Sequence, residues 1–121
     1  MAKIFVVDDS EHLVALLSQI LTSNGFQVET AVSKKELVNH LLTIIPDLIL
    51  LDIRLSGDDG RKICRDLKAN SVYKKIPIIL MSADADLLES YAEYNADDMM
   101  GKPFDKTVVL DKVNGLLKQP S

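Results

Sequence analysis

The chain has 121 residues, 47% of them hydrophobic, a formal net charge of -4 and a single cysteine. That size and apolar content suit one domain with its own core, 1–121, in which the polar residues 118–121 form a C-terminal tail or the start of a linker. The acidic balance, without clustered Lys and Arg, argues against direct nucleic-acid binding, and one Cys excludes an internal disulfide and a Cys-rich metal site. No apolar stretch approaches the roughly 20 residues of a membrane span, and "MAKIFVV" is too short an apolar run for a signal peptide, so a cytoplasmic protein is expected.

The first apolar run, Ile4 to Val7, reads as a strand and stops at two adjacent carboxylates, Asp8 and Asp9. Leu13, Leu16, Leu17, Ile20 and Leu21 then recur at helical spacing, and Gly25 in "SNGF" supplies the stop. Gln27 to Ala31 alternates as an edge strand does, followed by a helix from about Lys34 to Ile45. Asp47 to Leu51 and Ile76 to Met81 are apolar almost without interruption, the mark of strands buried on both faces, with a helix at about Arg61 to Ala69 between them. A helix at about Asp86 to Tyr94, a strand at Asp97 to Met100 and a helix at Asp105 to Leu117 complete five strands and five helices. The alternation predicts an α/β fold, a doubly wound parallel sheet flanked by helices.

In such a sheet, ligands bind beyond the carboxyl ends of the strands. Polar residues stand at those ends: Asp8 and Asp9 after the first strand, Asp52 after the third, Ser82 after the fourth and Lys102 after the fifth. A strand order of 2-1-3-4-5 would bring them into one pocket. Carboxylates about 4 Å apart repel by roughly 4 kcal/mol at an effective dielectric near 20, so a cation is expected among them. Hard carboxylate oxygens beside a phosphoryl oxygen suit Mg2+. Asp52, titrating near 4 as an ordinary carboxyl does, would be ionised at neutral pH and able to attack phosphorus without a general base. Mg2+, Lys102 and Ser82 would answer the charge that develops on the transferring group.

The stretches "VVDDS", "LILLDI", "ILMSA" and "NADDMMGKPF", in that order and at strand-end spacing, are each weak alone and specific together. Over essentially its whole length the chain resembles the response-regulator receiver domains of two-component signalling, which have a flavodoxin-like fold. The resemblance implies that Asp52 is the phosphoacceptor, that Asp9, Asp52 and the backbone carbonyl of Arg54 ligate Mg2+, and that Asp8 acts through a bound water. It further implies that Lys102 and Ser82 contact the phosphoryl oxygens and that the Lys102–Pro103 bond is a candidate cis peptide, an isomer costing only about 0.5–1 kcal/mol for X–Pro. The implied donor is a histidine kinase or histidine phosphotransfer protein, and the implied reader a downstream protein partner or an output domain outside these residues. The domain would catalyse only its own phosphorylation and dephosphorylation. Two positions depart from the family pattern. Ser56 stands where Pro is common, which predicts a looser loop before the third helix, whereas Gly60 matches. Met99 stands where many receivers carry a switching Tyr or Phe, and the expected switch pairs Ser82 with this flexible side chain.

Plainer roles compete at each position. Asp9 and Ser10 also suit helix N-caps, Ser82 a turn, and Lys102 a solvated surface, but the four motifs in register favour a site. His12 and His40 lack further clustered ligands for zinc, and Cys64 reads as a small core residue. A phosphatase of the aspartate-nucleophile kind would place its nucleophile after the first strand with a second Asp two residues on, where this chain has Ser10. An FMN binder would need a Gly- and hydroxyl-rich phosphate loop, whereas "DDSEH" repels phosphate without a metal. A pseudo-receiver, a protein-binding module without regulated phosphorylation, is the remaining alternative.

Overall fold

The computed structural model describes residues 2–117; the tail expected at 118–121 lies outside them. The elements are β1 (Lys3–Val7), α1 (Glu11–Thr22), β2 (Gln27–Ala31), α2 (Lys34–Leu41), β3 (Leu48–Asp52), β4 (Arg54–Leu55), β5 (Asp58–Asp59), α3 (Gly60–Lys68), β6 (Ile78–Ser82), α4 (Ala85–Leu88), a 3-10 turn (Tyr91–Tyr94), β7 (Asp98–Gly101) and α5 (Lys106–Leu117). Five strands form one parallel sheet in the order β2-β1-β3-β6-β7. With the small antiparallel hairpin β4–β5 set aside, this is the 2-1-3-4-5 order predicted for a doubly wound flavodoxin-like sheet.

Strand alternation builds two cores. Ile4, Val6, Leu48, Leu50, Ile79 and Met81 face one way and pack with Val14, Leu17 and Leu21 of α1 and Val109 and Val113 of α5. Their neighbours Phe5, Val7, Ile49, Leu51, Ile78 and Leu80 face the other way and pack with Leu37 and Leu41 of α2, Ile63 and Cys64 of α3, and Leu88 of α4. Burial on both faces explains why these strands read as continuous apolar runs. Burying a Leu or Ile side chain contributes about 1.5–3 kcal/mol, so these two clusters are the main stabilising element.

Several boundaries differ from the sequence reading for local reasons. The strand ends shift so that Asp52 and Ser82 close β3 and β6 from inside the ladder. The second helix stops at Leu41, not Ile45: the Thr43 amide already turns back onto the His40 carbonyl at 3.1 Å, and Pro46 disfavours helical backbone at Ile45. The helix expected over Asp86 to Tyr94 breaks: the Ser90 hydroxyl donates to the Leu87 carbonyl at 2.6 Å, diverting the backbone into a 3-10 turn that Asn95 closes at φ 66°. Asp97, expected simply to begin the last strand, accepts from the Ile78 amide at 2.8 Å and from Lys68 Nζ at 2.7 Å, fastening β7 beside β6.

Candidate functional site

Register brings the polar strand ends to one height. Val7 pairs with Leu51, Asp52 with Met81 and Ser82 with Gly101, so Asp8, Asp52, Ser82 and Lys102 follow one another across the carboxyl edge of the sheet. Backbone bonds fix the ends, with the Asp8 amide on the Ala31 carbonyl (3.1 Å), Ile53 on Met81 (2.9 Å) and Lys102 on Ser82 (2.9 Å). The Lys102–Pro103 peptide is cis.

Asp8 and Asp52 are buried, at 0% and 4% exposure, while Asp9 stands in solvent. Carboxylate oxygens of the three lie within 4.8 Å of one another. Lys102 Nζ sits between the two buried ones, 2.7 Å from Asp8 Oδ2 and 3.2 Å from Asp52 Oδ1. Further donors complete the arrangement: the Ser10 amide reaches Asp8 Oδ1 at 2.9 Å and the Arg54 amide reaches Asp52 Oδ1 at 3.4 Å. Ser82 is buried, its Oγ accepting from the Asp84 amide at 3.0 Å.

One expectation changes quantitatively. An ordinary carboxyl titrates near 4, but desolvation and the neighbouring Asp8 charge raise the pKa of Asp52 to about 6, against the opposing pull of Lys102. At pH 7 the carboxylate is still the majority form, so nucleophilic attack without a general base remains available. Burial also works against the Lys102 ammonium, yet its bond to Asp8 and the charges of Asp52 and Asp8 outweigh that, and its pKa rises. Lys102 is therefore a fixed positive charge at neutral pH.

Asp52, Ser82 and Lys102 line a cleft of about 670 Å³ whose walls also include Asp9, Arg54 and Asp84, while Asp8 is buried. Arg54 and Asp84 pair across it at 3.3 Å. Asp84, absent from the sequence reading, also caps α4, its Oδ1 accepting from Asp86 N at 2.9 Å; "SADAD", with Asp just ahead of a helix, carried that signal. Gly60 starts α3 hard against β3, where an added Cβ would collide with the Asp52 carbonyl. The loop at Ser56, expected to be loose, is tied down: Ser56 Oγ donates to Asp9 Oδ2 at 3.1 Å. Met99 packs, partly buried, against the cluster that holds Leu80 and Leu88. Of the residues set aside, His12 is exposed, His40 Nε2 lies 2.9 Å from the Thr30 carbonyl, and Cys64 is buried with its thiol pushed up to about 12 by desolvation.

Residues 4–114 match the response regulator receiver domain family. The chain is a receiver domain of that family. Among curated relatives it is 35% identical over 119 residues to the alkaline phosphatase synthesis transcriptional regulatory protein PhoP of Bacillus subtilis, covering 97% of this chain and 49% of that protein. It is 34% identical over 120 residues to the response regulator PleD of Caulobacter vibrioides, covering 97% of this chain and 26% of PleD. The chain thus spans about half or less of these relatives. The receiver domain also superposes on the signal receiver domain of a signal transduction histidine kinase from Syntrophus aciditrophicus with a TM-score of 0.89 at 32% identity, over 100% of this chain and 96% of that one. Membership places it in two-component signalling. No helix among the described residues is long and apolar enough to cross a membrane.

Proposed function

We propose that this receiver domain accepts a phosphoryl group on Asp52 in a Mg2+-dependent reaction within the cytoplasm. The observation that carries this is the cluster itself: three carboxylates within 4.8 Å, two of them buried, countered by the single ammonium of Lys102. One ammonium leaves the cluster net negative, and hard oxygens in that number fit a divalent cation. Asp9, Asp52 and the Arg54 backbone carbonyl would ligate it, with Asp8 acting through a bound water. When bound, Mg2+ supplies positive charge to the phosphoryl oxygens.

The chain's own groups do the remaining work. An Asp52 carboxylate oxygen attacks phosphorus; the bond from phosphorus to the donor's nitrogen or oxygen breaks, and the donor leaves with that electron pair. The product is an acyl phosphate on Asp52. Lys102, already 3.2 Å from Asp52, swings its ammonium onto the phosphoryl oxygens, and the Ser82 hydroxyl donates to another. Hydrolysis of the acyl phosphate returns the carboxylate. The donor is a histidine kinase or histidine phosphotransfer protein. Movement of Ser82, followed by Met99, conveys the state to a downstream partner or output domain.

Intact-protein mass after incubation with Mg2+ and a small acyl-phosphate donor tests this. One added phosphoryl group, absent in Asp52→Ala and absent with a chelator, is the expected result. A folded protein that stays unmodified by both the small donor and a panel of histidine kinases would instead support the pseudo-receiver.

A further inference from the structure

We infer that Ser56 is a positioning residue for the cation site, holding Asp9 in place as a ligand; this rests on the Mg2+ reading above. The three carboxylates are not equally secured. Asp8 has Lys102 and the Ser10 amide, and Asp52 has Lys102 and the Arg54 amide. Asp9, exposed at the rim, makes neither an ion pair nor a backbone hydrogen bond among the described residues, and its one recorded side-chain partner is the Ser56 hydroxyl at 3.1 Å. Repulsion from Asp8 and Asp52 drives an exposed carboxylate outward into water, where its charge is better solvated. A donor on the opposite side counters that drift.

The donor is itself rigidly presented. Ser56 and Gly57 form the two-residue turn of the β4–β5 hairpin, with Gly57 at φ 80°, a conformation open to glycine without strain. The hairpin is anchored at its far end by Gly60, whose amide donates to the Ile53 carbonyl at 2.7 Å. Ser56 thus approaches Asp9 across 47 residues of sequence from a fixed platform. One hydroxyl donated to a carboxylate leaves acceptor positions free for a cation, and hydrogen bonds to ligating carboxylates orient them and raise affinity, their loss typically weakening binding 10- to 100-fold. Because Asp9 is exposed and water can replace part of the bond, the lower end is expected here. A proline at this position would have no hydroxyl to offer Asp9.

The test is Mg2+ affinity in the unphosphorylated protein, read from amide chemical-shift titration with no phosphodonor present, for wild type, Ser56→Ala and Ser56→Thr. Urea midpoints in chelator confirm that each variant is folded. Wild type should bind Mg2+, Ser56→Ala should bind about tenfold more weakly, and Ser56→Thr, which keeps the hydroxyl, should stay within about twofold of wild type. Equal or tighter binding by Ser56→Ala overturns the role, as does equal weakening in both variants, which would trace the effect to the turn and not the hydroxyl. Wild type that binds no Mg2+ would instead remove the metal reading, and this inference with it.

Discussion

At the scale of single residues, Asp52 carries the cost of the site. Its pKa rises from 3.8 to about 6, because burial and Asp8 both penalise its charge. The folded state then holds the Asp52 proton more tightly than the unfolded chain does. This group's contribution to stability is intact below about pH 4 and declines as pH rises through 6. At about 1.4 kcal/mol per pH unit, the penalty reaches roughly 2–3 kcal/mol at pH 7. Asp52→Asn, which removes the charge and keeps the shape, should therefore stabilise the metal-free protein by about that amount at pH 7–8 and by almost nothing near pH 4. Urea denaturation in chelator across pH would measure it, and a gap that does not vary with pH would refute it. The sequence located this residue but could not give its titration, since the shift arises from neighbours brought in by folding. Ser56 is a sharper instance: its identity suggested a loose loop, and only the hairpin's placement showed its hydroxyl on Asp9.

At the scale of elements, the junction of β3 and α3 sets how the Asp52 carboxylate is aimed. Replacing Gly by Ala in a helix ordinarily gains about 1 kcal/mol. At Gly60 the sign should reverse, because the new Cβ would meet the Asp52 carbonyl, backbone that has no rotamer with which to yield. Gly60→Ala is expected to cost about 2–4 kcal/mol in the urea midpoint, within the range for severe steric conflict; an unchanged midpoint would show that α3 can slide. The neighbouring tie is polar. Arg61 forms a two-pronged pair with Asp59 (3.2 and 2.9 Å), donates to Ser90 Oγ at 3.0 Å and lies 5.0 Å from the Tyr94 ring, joining α3 to the 3-10 turn. Such pieces show where sequence reasoning stops. The buried strands were legible because both faces demand apolar residues, whereas β4 and β5, two residues each in "RLSGDD", leave no periodicity to detect. The broken helix at Ser90 turns on one hydroxyl choosing a nearby carbonyl, a decision invisible to a hydrophobic pattern.

For the molecule as a whole, two residues of the proposed phosphoryl site lie on adjacent strands. Ser82 closes β6, Lys102 follows β7, and the Lys102 amide is bonded to the Ser82 carbonyl at 2.9 Å. A phosphoryl group that draws in both side chains pulls on two neighbouring strand ends at once, and α4 and α5 both pack on β7. Hydrogen exchange should therefore change in α4, β7 and α5 when a phosphoryl mimic binds, while α2, against the far edge strand β2, keeps the rates of the free protein. Unaltered exchange around β7 would separate phosphorylation from any readout through this face. The fold was readable from the alternation of apolar runs and amphipathic stretches; given the 2-1-3-4-5 order, strand-end polarity then pointed to the meeting of Asp8, Asp9, Asp52, Ser82 and Lys102, because in a doubly wound sheet topology decides which strand ends are neighbours.

The alternation that builds the two cores has a consequence for how such a domain can change over time. Each residue in β3 advances the chain by about 3.3 Å and flips the side chain to the opposite face. Deleting any one residue between Leu48 and Leu51 would turn the β3 side chains beyond the deletion toward the opposite core and withdraw Asp52 from Lys102 by a full step. Surface turns away from the cleft can absorb insertions; this strand cannot, so its residue count is the ruler by which the Asp52 carboxylate is set at the mouth of the cleft.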